Sequence, residues 1–377
     1  MKNFKLLSFL LIAASSLMFM QCTSDYTPIP GINGTNGTNG TDGTNGTNGA
    51  DGVGVQECID CHSSEHRDAI KEQYYTYSHH YGPDGNGFDG SWARGTTQSC
   101  ARCHNNQGFI DLFSGLYFDD DGYPTANLDP DYNPYQTSSP INCTGCHNSD
   151  KGHRSFDFAN DGNDYALRTL DPVSLIIDRS TTIDSKNDAD KMGYSNTCIN
   201  CHQPRTPAPT PNAYGNYAVT SSHWGPHHGP QGTFLYGIGG AILPGAMPAI
   251  GAATHAKNAA CVVCHMGEPS DVNNGGHTWN PTDNACISCH GTRPTEVEGL
   301  AALRATLLTE LQTKGLDSTG TKYIFDANGD LQTGTYPVKV AQAAFNYIML
   351  EEDRSEGIHN PEYAKDLAQN SINALQN

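Results

Sequence analysis

Apolar positions recur at helical spacing in the last quarter of the chain. Leu300, Leu303, Leu307, Leu308 and Leu311 follow one another at one-turn intervals, which places them on one face of a helix. Thr295-Glu-Val-Glu298 ahead of them has the form of a capping box, and Gly315 behind them is a stop signal. A second helix is predicted from Pro337 to about Glu352. A third is announced by Asn360-Pro361, an N-cap followed by proline at the first helical position, and runs towards the C-terminus. The apolar faces of these helices read as packing surface.

Upstream the pattern is different. One apolar stretch, Leu6 to Met20, follows Lys2 and Lys5 and is too short to span a bilayer as a stable helix, so it reads as an export signal. Glycine then stands at every third position from Gly31 to Gly52 with no proline among them, which argues against a collagen triple helix and for a flexible polar tether. Such a tether holds the folded body about 25–30 Å from its attachment point. From residue 55 to 292 neither a helical nor an alternating period is sustained, and no large sheet is expected. Apolar residues make up only 36% of the chain, and glycine and proline number 40 and 21, so long irregular segments are expected and an ordinary apolar core is not.

The chemistry is carried by cysteine. Cys-x-x-Cys-His occurs six times: Cys58, Cys61 and His62; Cys100, Cys103 and His104; Cys143, Cys146 and His147; Cys198, Cys201 and His202; Cys261, Cys264 and His265; Cys286, Cys289 and His290. These use twelve of the 13 cysteines, and with only 16 histidines in 377 residues a histidine after every pair is not chance. The motif is the attachment signature of c-type haem: two thiols one helical turn apart bind the haem, and the adjacent imidazole lies under the iron. Zinc also uses Cys-x-x-Cys but does not require a histidine at a fixed offset, and a thioredoxin-like redox pair occurs once, not six times. Motif spacing is irregular, which excludes a solenoid of equal repeats. Six covalent haems supply the apolar mass that the composition lacks, so the haems are expected to be the core.

Ten histidines lie outside the motifs: His66, His79, His80, His153, His223, His227, His228, His255, His277 and His359. That is enough to give each iron a second imidazole.

In these segments the chain resembles multihaem c-type cytochromes. Gly276-His277-Thr278, Gly357-Ile-His359-Asn-Pro361, Trp224-Gly-Pro-His227-His-Gly-Pro230, Ser78-His79-His80 and the His153 that trails the third motif are similar to distal-ligand segments of that group. The resemblance implies a multihaem cytochrome c fold, mainly α and irregular coil with little β-sheet, wrapped round a covalent haem chain. It implies His80, His153, His227, His255, His277 and His359 as distal ligands, with one histidine drawn from each adjacent pair.

Saturated irons perform outer-sphere electron transfer, whereas multihaem nitrite, hydroxylamine and tetrathionate reductases keep one iron open or ligate it with lysine. Cys-x-x-Cys-Lys does not occur in this sequence, and electron transfer is the expected role; a reductase is the alternative. A third class, the filament-forming extracellular cytochromes, is similar in carrying six haems, and His66 stands where such a protein reaches a neighbouring subunit. The formal charge of −19 makes nucleic acid and anionic membrane surfaces poor partners and favours basic cytochromes, quinol-oxidising complexes or extracellular mineral or metal-cation acceptors. Asp326-Ala-Asn-Gly-Asp330 and Asp119 to Asp121 read as polar turns.

The expected organisation is a signal at 1–21, an anchor and tether at 22–54, a hexahaem region at 55–292 and a C-terminal helical region at 293–377. Cys22, the cysteine outside the motifs, directly follows the apolar stretch and resembles the lipidated residue of a bacterial lipoprotein, which places the protein at a membrane or the cell surface. The Cys22→Ser variant is expected to leave the membrane fraction with its haem spectrum unchanged; unaltered membrane association would remove the anchor.

Overall fold

The computed structural model describes residues 63–76, 98–113, 135, 139–147, 165, 167–187, 192–269, 271 and 273–377. The chain divides into two units, Met1–Val55 and Gln56–Asn377, and every described residue belongs to the second. The signal, Cys22 and the tether therefore lie outside the described residues, as do Asp119 to Asp121.

The described residues are mostly helix and coil, with two small antiparallel sheets of two strands each. In chain order the helices are α1 (Ser64–Thr76), α2 (Gln98–His104), α3 (Asn106–Asp111), α4 (Cys143–Cys146), α5 (Tyr194–Ile199), α6 (Gln231–Leu235), α7 (Thr254–Asn258), α8 (Ala260–His265), α9 (Asp283–His290), α10 (Leu300–Thr313), α11 (Val338–Asp353) and α12 (Pro361–Gln376). Strands β1 (Val173–Leu175) and β2 (Asp178–Ile183) pair with each other, and β3 (Asn216–Val219) pairs with β4 (Gly334–Pro337). None of the described helices is long and apolar enough to cross a membrane.

The three C-terminal helices stand where the periodicity puts them. On α10 Leu300, Leu307 and Leu311 are buried, while Leu303 and Leu308 are partly buried against the same core. Asn360 caps α12 by accepting a hydrogen bond from the Tyr363 N–H at 3.2 Å, with Pro361 in the first turn. The capping box does not form. Helix α10 starts instead at Leu300, after Gly299 with φ 82°, because Val297 N–H donates to Glu356 O at 3.0 Å and holds the Thr295–Glu298 stretch in a turn. Glycine alone enters that left-handed region without strain.

An ordinary apolar core exists after all, which corrects the expectation drawn from composition. The scarce apolar residues are concentrated: Leu307, Leu311, Met349, Leu350, Tyr363, Leu367 and Ile372 close on one another and take in Val219, Phe234 and Leu243 from mid-chain. Two smaller clusters lie among the motifs, one around Val173, Leu175, Ile199 and Leu235, the other around Phe109, Leu112 and Ile141.

Irregular mid-chain backbone is tied to the C-terminal helices by buried polar side chains. Asn346 on α11 accepts from the Ala241 N–H at 2.7 Å and donates to Ala241 O at 2.9 Å and to the Ser371 hydroxyl at 3.0 Å. The Tyr363 hydroxyl accepts from the Gly240 N–H at 2.8 Å, and Asn360 donates to Leu235 O. An unpaired buried amide costs roughly 1–3 kcal/mol, so these bonds fix the path of a segment that has no secondary structure of its own. The Asp326 carboxylate accepts from the backbone N–H groups of Asn328 and Asp330, the polar turn the sequence suggests.

Candidate haem-binding site

Five of the six motifs are described, and each sits on or at the end of a short helix. Helix α2 carries Cys100, Cys103 and His104; α4 carries Cys143 and Cys146, with His147 as its C-cap; α8 carries Cys261, Cys264 and His265; α9 carries Cys286, Cys289 and His290. Cys198 is on α5, with Cys201 and His202 in the turn that follows it. On a helix residues three apart share a face, so the two thiols of a pair point the same way. Side chains begin two of these helices: Asn142 accepts from Thr144 N–H and Thr282 from Asn284 N–H. Helix α8 has no side-chain cap of its own and borrows one from its neighbour. The Ser195 hydroxyl on α5 accepts from the Cys261 and Val262 N–H groups at 3.1 and 3.3 Å.

Four motif histidines each face one histidine from outside the motifs. Ring centroids are 6.2 Å apart for His104 and His227, 6.1 Å for His147 and His277, 5.9 Å for His290 and His255, and 6.2 Å for His265 and His359. A five-membered ring with sides of about 1.33 Å has its nitrogens about 1.1 Å from the centroid. A metal–imidazole bond is about 2 Å, so one metal held between two imidazoles sets their centroids about 6.2 Å apart. The spacing of each pair therefore fits a haem iron, which these imidazoles would hold from its two sides. They do not fit tetrahedral zinc, since among the described residues no three His, Cys, Asp or Glu side chains converge on a metal-sized point.

The hydrogen bonds orient these rings. Nδ1 of His147 donates to Tyr165 O at 2.8 Å, Nδ1 of His265 to Trp279 O at 2.7 Å, Nδ1 of His255 to Ile358 O at 2.5 Å, and Nδ1 of His359 to the Asp353 carboxylate at 2.7 Å. Nδ1 of His202 donates to the Gln231 side-chain oxygen at 3.0 Å. A ring whose Nδ1 carries the proton offers Nε2 to a metal. Burial pushes His227 and His265 down to about 4 and lowers His202, so all three are neutral and ligand-ready at neutral pH. Burial also pushes the Cys146 and Cys264 thiols up to about 11, whereas a hydrogen bond with Cys201 brings Cys103 down to about 7.

Backbone geometry is unusual around His227 and His277. His227 has φ 80°, an uncommon conformation for a residue with a side chain, between Gly225 and Gly229, which also have positive φ. Strain of this kind costs about 1–3 kcal/mol and gathers at functional sites. Its neighbour His228 turns away to pair with Glu352 at 2.6 Å, and so His227 is the one of the two that faces a motif. At Gly276, φ 54°, a Cβ would sit 2.6 Å from the Gln73 side-chain oxygen, which instead accepts the His277 N–H at 2.9 Å. A shallow cleft beside the His104–His227 pair is lined by Cys100, Cys103, Arg102 and Arg205.

The motifs are also close to one another. Cys103 donates towards Asn200 O at 4.0 Å and Cys201 towards Arg102 O at 3.7 Å, a reciprocal contact between the second and fourth motifs. His359 is near enough to His202 and His265 to disfavour their protonation, and Cys286 is near enough to Cys264 to favour that of its thiol.

Cys58, Cys61, His62, His79, His80 and His153 lie outside the described residues, and so does the side chain of His66. His223 is exposed, with Nδ1 3.3 Å from the Ser222 hydroxyl, and faces none of the described motif histidines. Sequence reading missed Ser195, Gln231, Gln73, Asp353 and the Trp279 carbonyl. Ser195, Gln231 and Gln73 act across 66, 29 and 204 residues of chain, whereas Asp353 and the Trp279 carbonyl act across 6 and 14; no local pattern marks any of them.

No family model and no curated protein matches the chain. Among solved structures it is similar to the undecaheme cytochrome from the S-layer of Carboxydothermus ferrireducens, at 16% identity and a TM-score of 0.43, over 74% of this chain and 38% of that one. The match thus spans under two-fifths of that protein, and the likeness is too slight to assign a function to this chain.

Removing the borrowed cap strands two N–H groups in the first turn of α8. The Ser195→Ala variant is expected to keep its haem content and lose about 1–2 kcal/mol of stability, read as a lower thermal unfolding midpoint.

Proposed function

We propose that the protein is an electron carrier that passes single electrons through six covalently bound haems c, each held by two histidines, in the periplasm or at the cell surface. The carrying observation is the set of four facing imidazole pairs at 5.9–6.2 Å, each made of one motif histidine and one histidine from elsewhere in the chain. Bound haem iron supplies one-electron chemistry; the chain supplies attachment, axial ligands and spacing.

In this reading Cys100, Cys103, Cys143, Cys146, Cys198, Cys201, Cys261, Cys264, Cys286 and Cys289 hold five haems by thioether bonds, and Cys58 and Cys61 hold the sixth. His104, His147, His265 and His290 are proximal ligands opposite His227, His277, His359 and His255. His62 and His202 take the two remaining proximal places, with His80 and His153 as their partners. Two imidazoles on an iron leave no position for substrate, which favours a carrier over a reductase. The abutting second and fourth motifs, and the clustering of His202, His265 and His359, supply short gaps between successive haems. The acidic surface suits a basic cytochrome, a quinol-oxidising complex or an extracellular metal acceptor. A lipid on Cys22 would tether the carrier to the outer membrane, and with that anchor removed the same chain would be free to assemble with copies of itself.

The intact mass after acid–acetone treatment tests the stoichiometry. Six haem groups above the processed polypeptide are expected, and a mass fitting bare polypeptide or zinc would end the proposal. In the His277→Ala variant all six haems are expected to stay attached while one iron turns from low-spin to a high-spin form that binds carbon monoxide. An unaltered low-spin spectrum would remove His277 from the ligand set.

A further inference from the structure

The Nδ1 protons of the paired histidines go to acceptors of different charge. His147, His255 and His265 donate to backbone carbonyls, whereas His359 donates to the carboxylate of Asp353 at 2.7 Å. That carboxylate is only 1% exposed. It stands at the end of α11, its Oδ2 accepts a hydrogen bond from the Ser355 hydroxyl, and the same hydroxyl accepts the His359 N–H at 3.2 Å. Carboxylate, hydroxyl and imidazole thus close a ring of hydrogen bonds that holds Asp353 Oδ1 on the outer nitrogen of His359. The histidine opposite, His265, has its own Nδ1 committed to a neutral carbonyl.

A hydrogen bond from a ligand imidazole to an anion makes that ligand a stronger electron donor than one to a neutral carbonyl does. A buried negative charge next to an iron also favours its ferric state, which carries one more positive charge than the ferrous state, and little solvent lies between to screen it. Axial-ligand donor strength and nearby charge are the levers that set a haem potential. We infer that Asp353 is a positioning residue that lowers the potential of the His265–His359 site below that of the His290–His255 and His147–His277 sites. This inference rests on the haem-carrier reading of the same histidines. The site lies between the fourth motif, whose His202 is adjacent, and the sixth, whose Cys286 is adjacent to Cys264.

The test is a spectroelectrochemical titration of purified holoprotein, wild type against Asp353→Asn. Asparagine keeps the size of the side chain and an oxygen to accept from Nδ1 but removes the charge. The expected result is that one of the reduction steps moves upward while the others stay in place. At the wild-type midpoint of that step, the reduced-to-oxidised ratio is expected to rise about tenfold, the lower end of the effect of outer-shell partners on metal sites. Haem mass and the low-spin spectrum should be unchanged. Asp353→Glu is expected to restore the lower potential in part, and Ser355→Ala, which frees the carboxylate without removing it, to shift the same step upward by a smaller factor. Titration curves that superimpose for wild type, Asp353→Asn and Ser355→Ala would overturn the inference while leaving the carrier reading intact, and so would a uniform shift of every step. A wild-type protein without covalent haem would overturn both.

Discussion

Two imidazoles that share one metal must keep their ring centroids about 6 Å apart with the same nitrogen of each turned inward. Four histidine pairs in the described structure have that spacing. Each facing pair joins a histidine fixed on a short motif helix to one delivered from a distance: His227 from an irregular mid-chain loop, His277 from the turn between α8 and α9, His255 from α7 and His359 from the turn before α12. The motif half is local and needs little support. The delivered half needs the chain to cross itself at a fixed place, and the polar bonds of Asn346, Tyr363 and Asn360 hold it there.

The distribution of apolar residues follows from the same requirement. The C-terminal helices concentrate the apolar residues in an ordinary core, which lets them act as a rigid frame behind the motifs. From that frame come His359, its partner Asp353, and the Ile358 carbonyl that orients His255. In the motif region the small clusters around Val173 and Phe109 are completed by Cys261, Cys146 and Cys201, so thiols and apolar side chains pack together where a haem edge would continue the surface.

Legibility in the sequence divides along the same line. The Cys-x-x-Cys-His spacing is a local requirement of haem attachment and can be read from the residues alone, as can α10, α11 and α12 from their periodicity and the cap at Asn360. His227, His255, His277 and His359 stand out by number and by resemblance, but which motif each faces depends on how the chain returns on itself, and no local pattern encodes that. Ser195 and Gln231 are ordinary polar residues in sequence and acquire a role by touching segments elsewhere in the fold, while Asp353 acquires one through the turn that brings His359, 6 residues on, back to it. Thr295–Glu298 fails for a related reason: its local pattern favours a helix start, and a hydrogen bond to distant Glu356 O overrides it.

Electron paramagnetic resonance of the oxidised wild-type protein at low temperature tests the central claim most directly, because it reports the spin state of every iron. Two imidazoles on each iron predict that the whole iron content is low-spin. Two of the described ring pairs are splayed at 69° and 74° and two at 32° and 36°, so two kinds of low-spin signal are expected. A high-spin signal amounting to one iron per molecule, shifted by added nitrite or hydroxylamine, would contradict the account and mark that iron as a reaction centre.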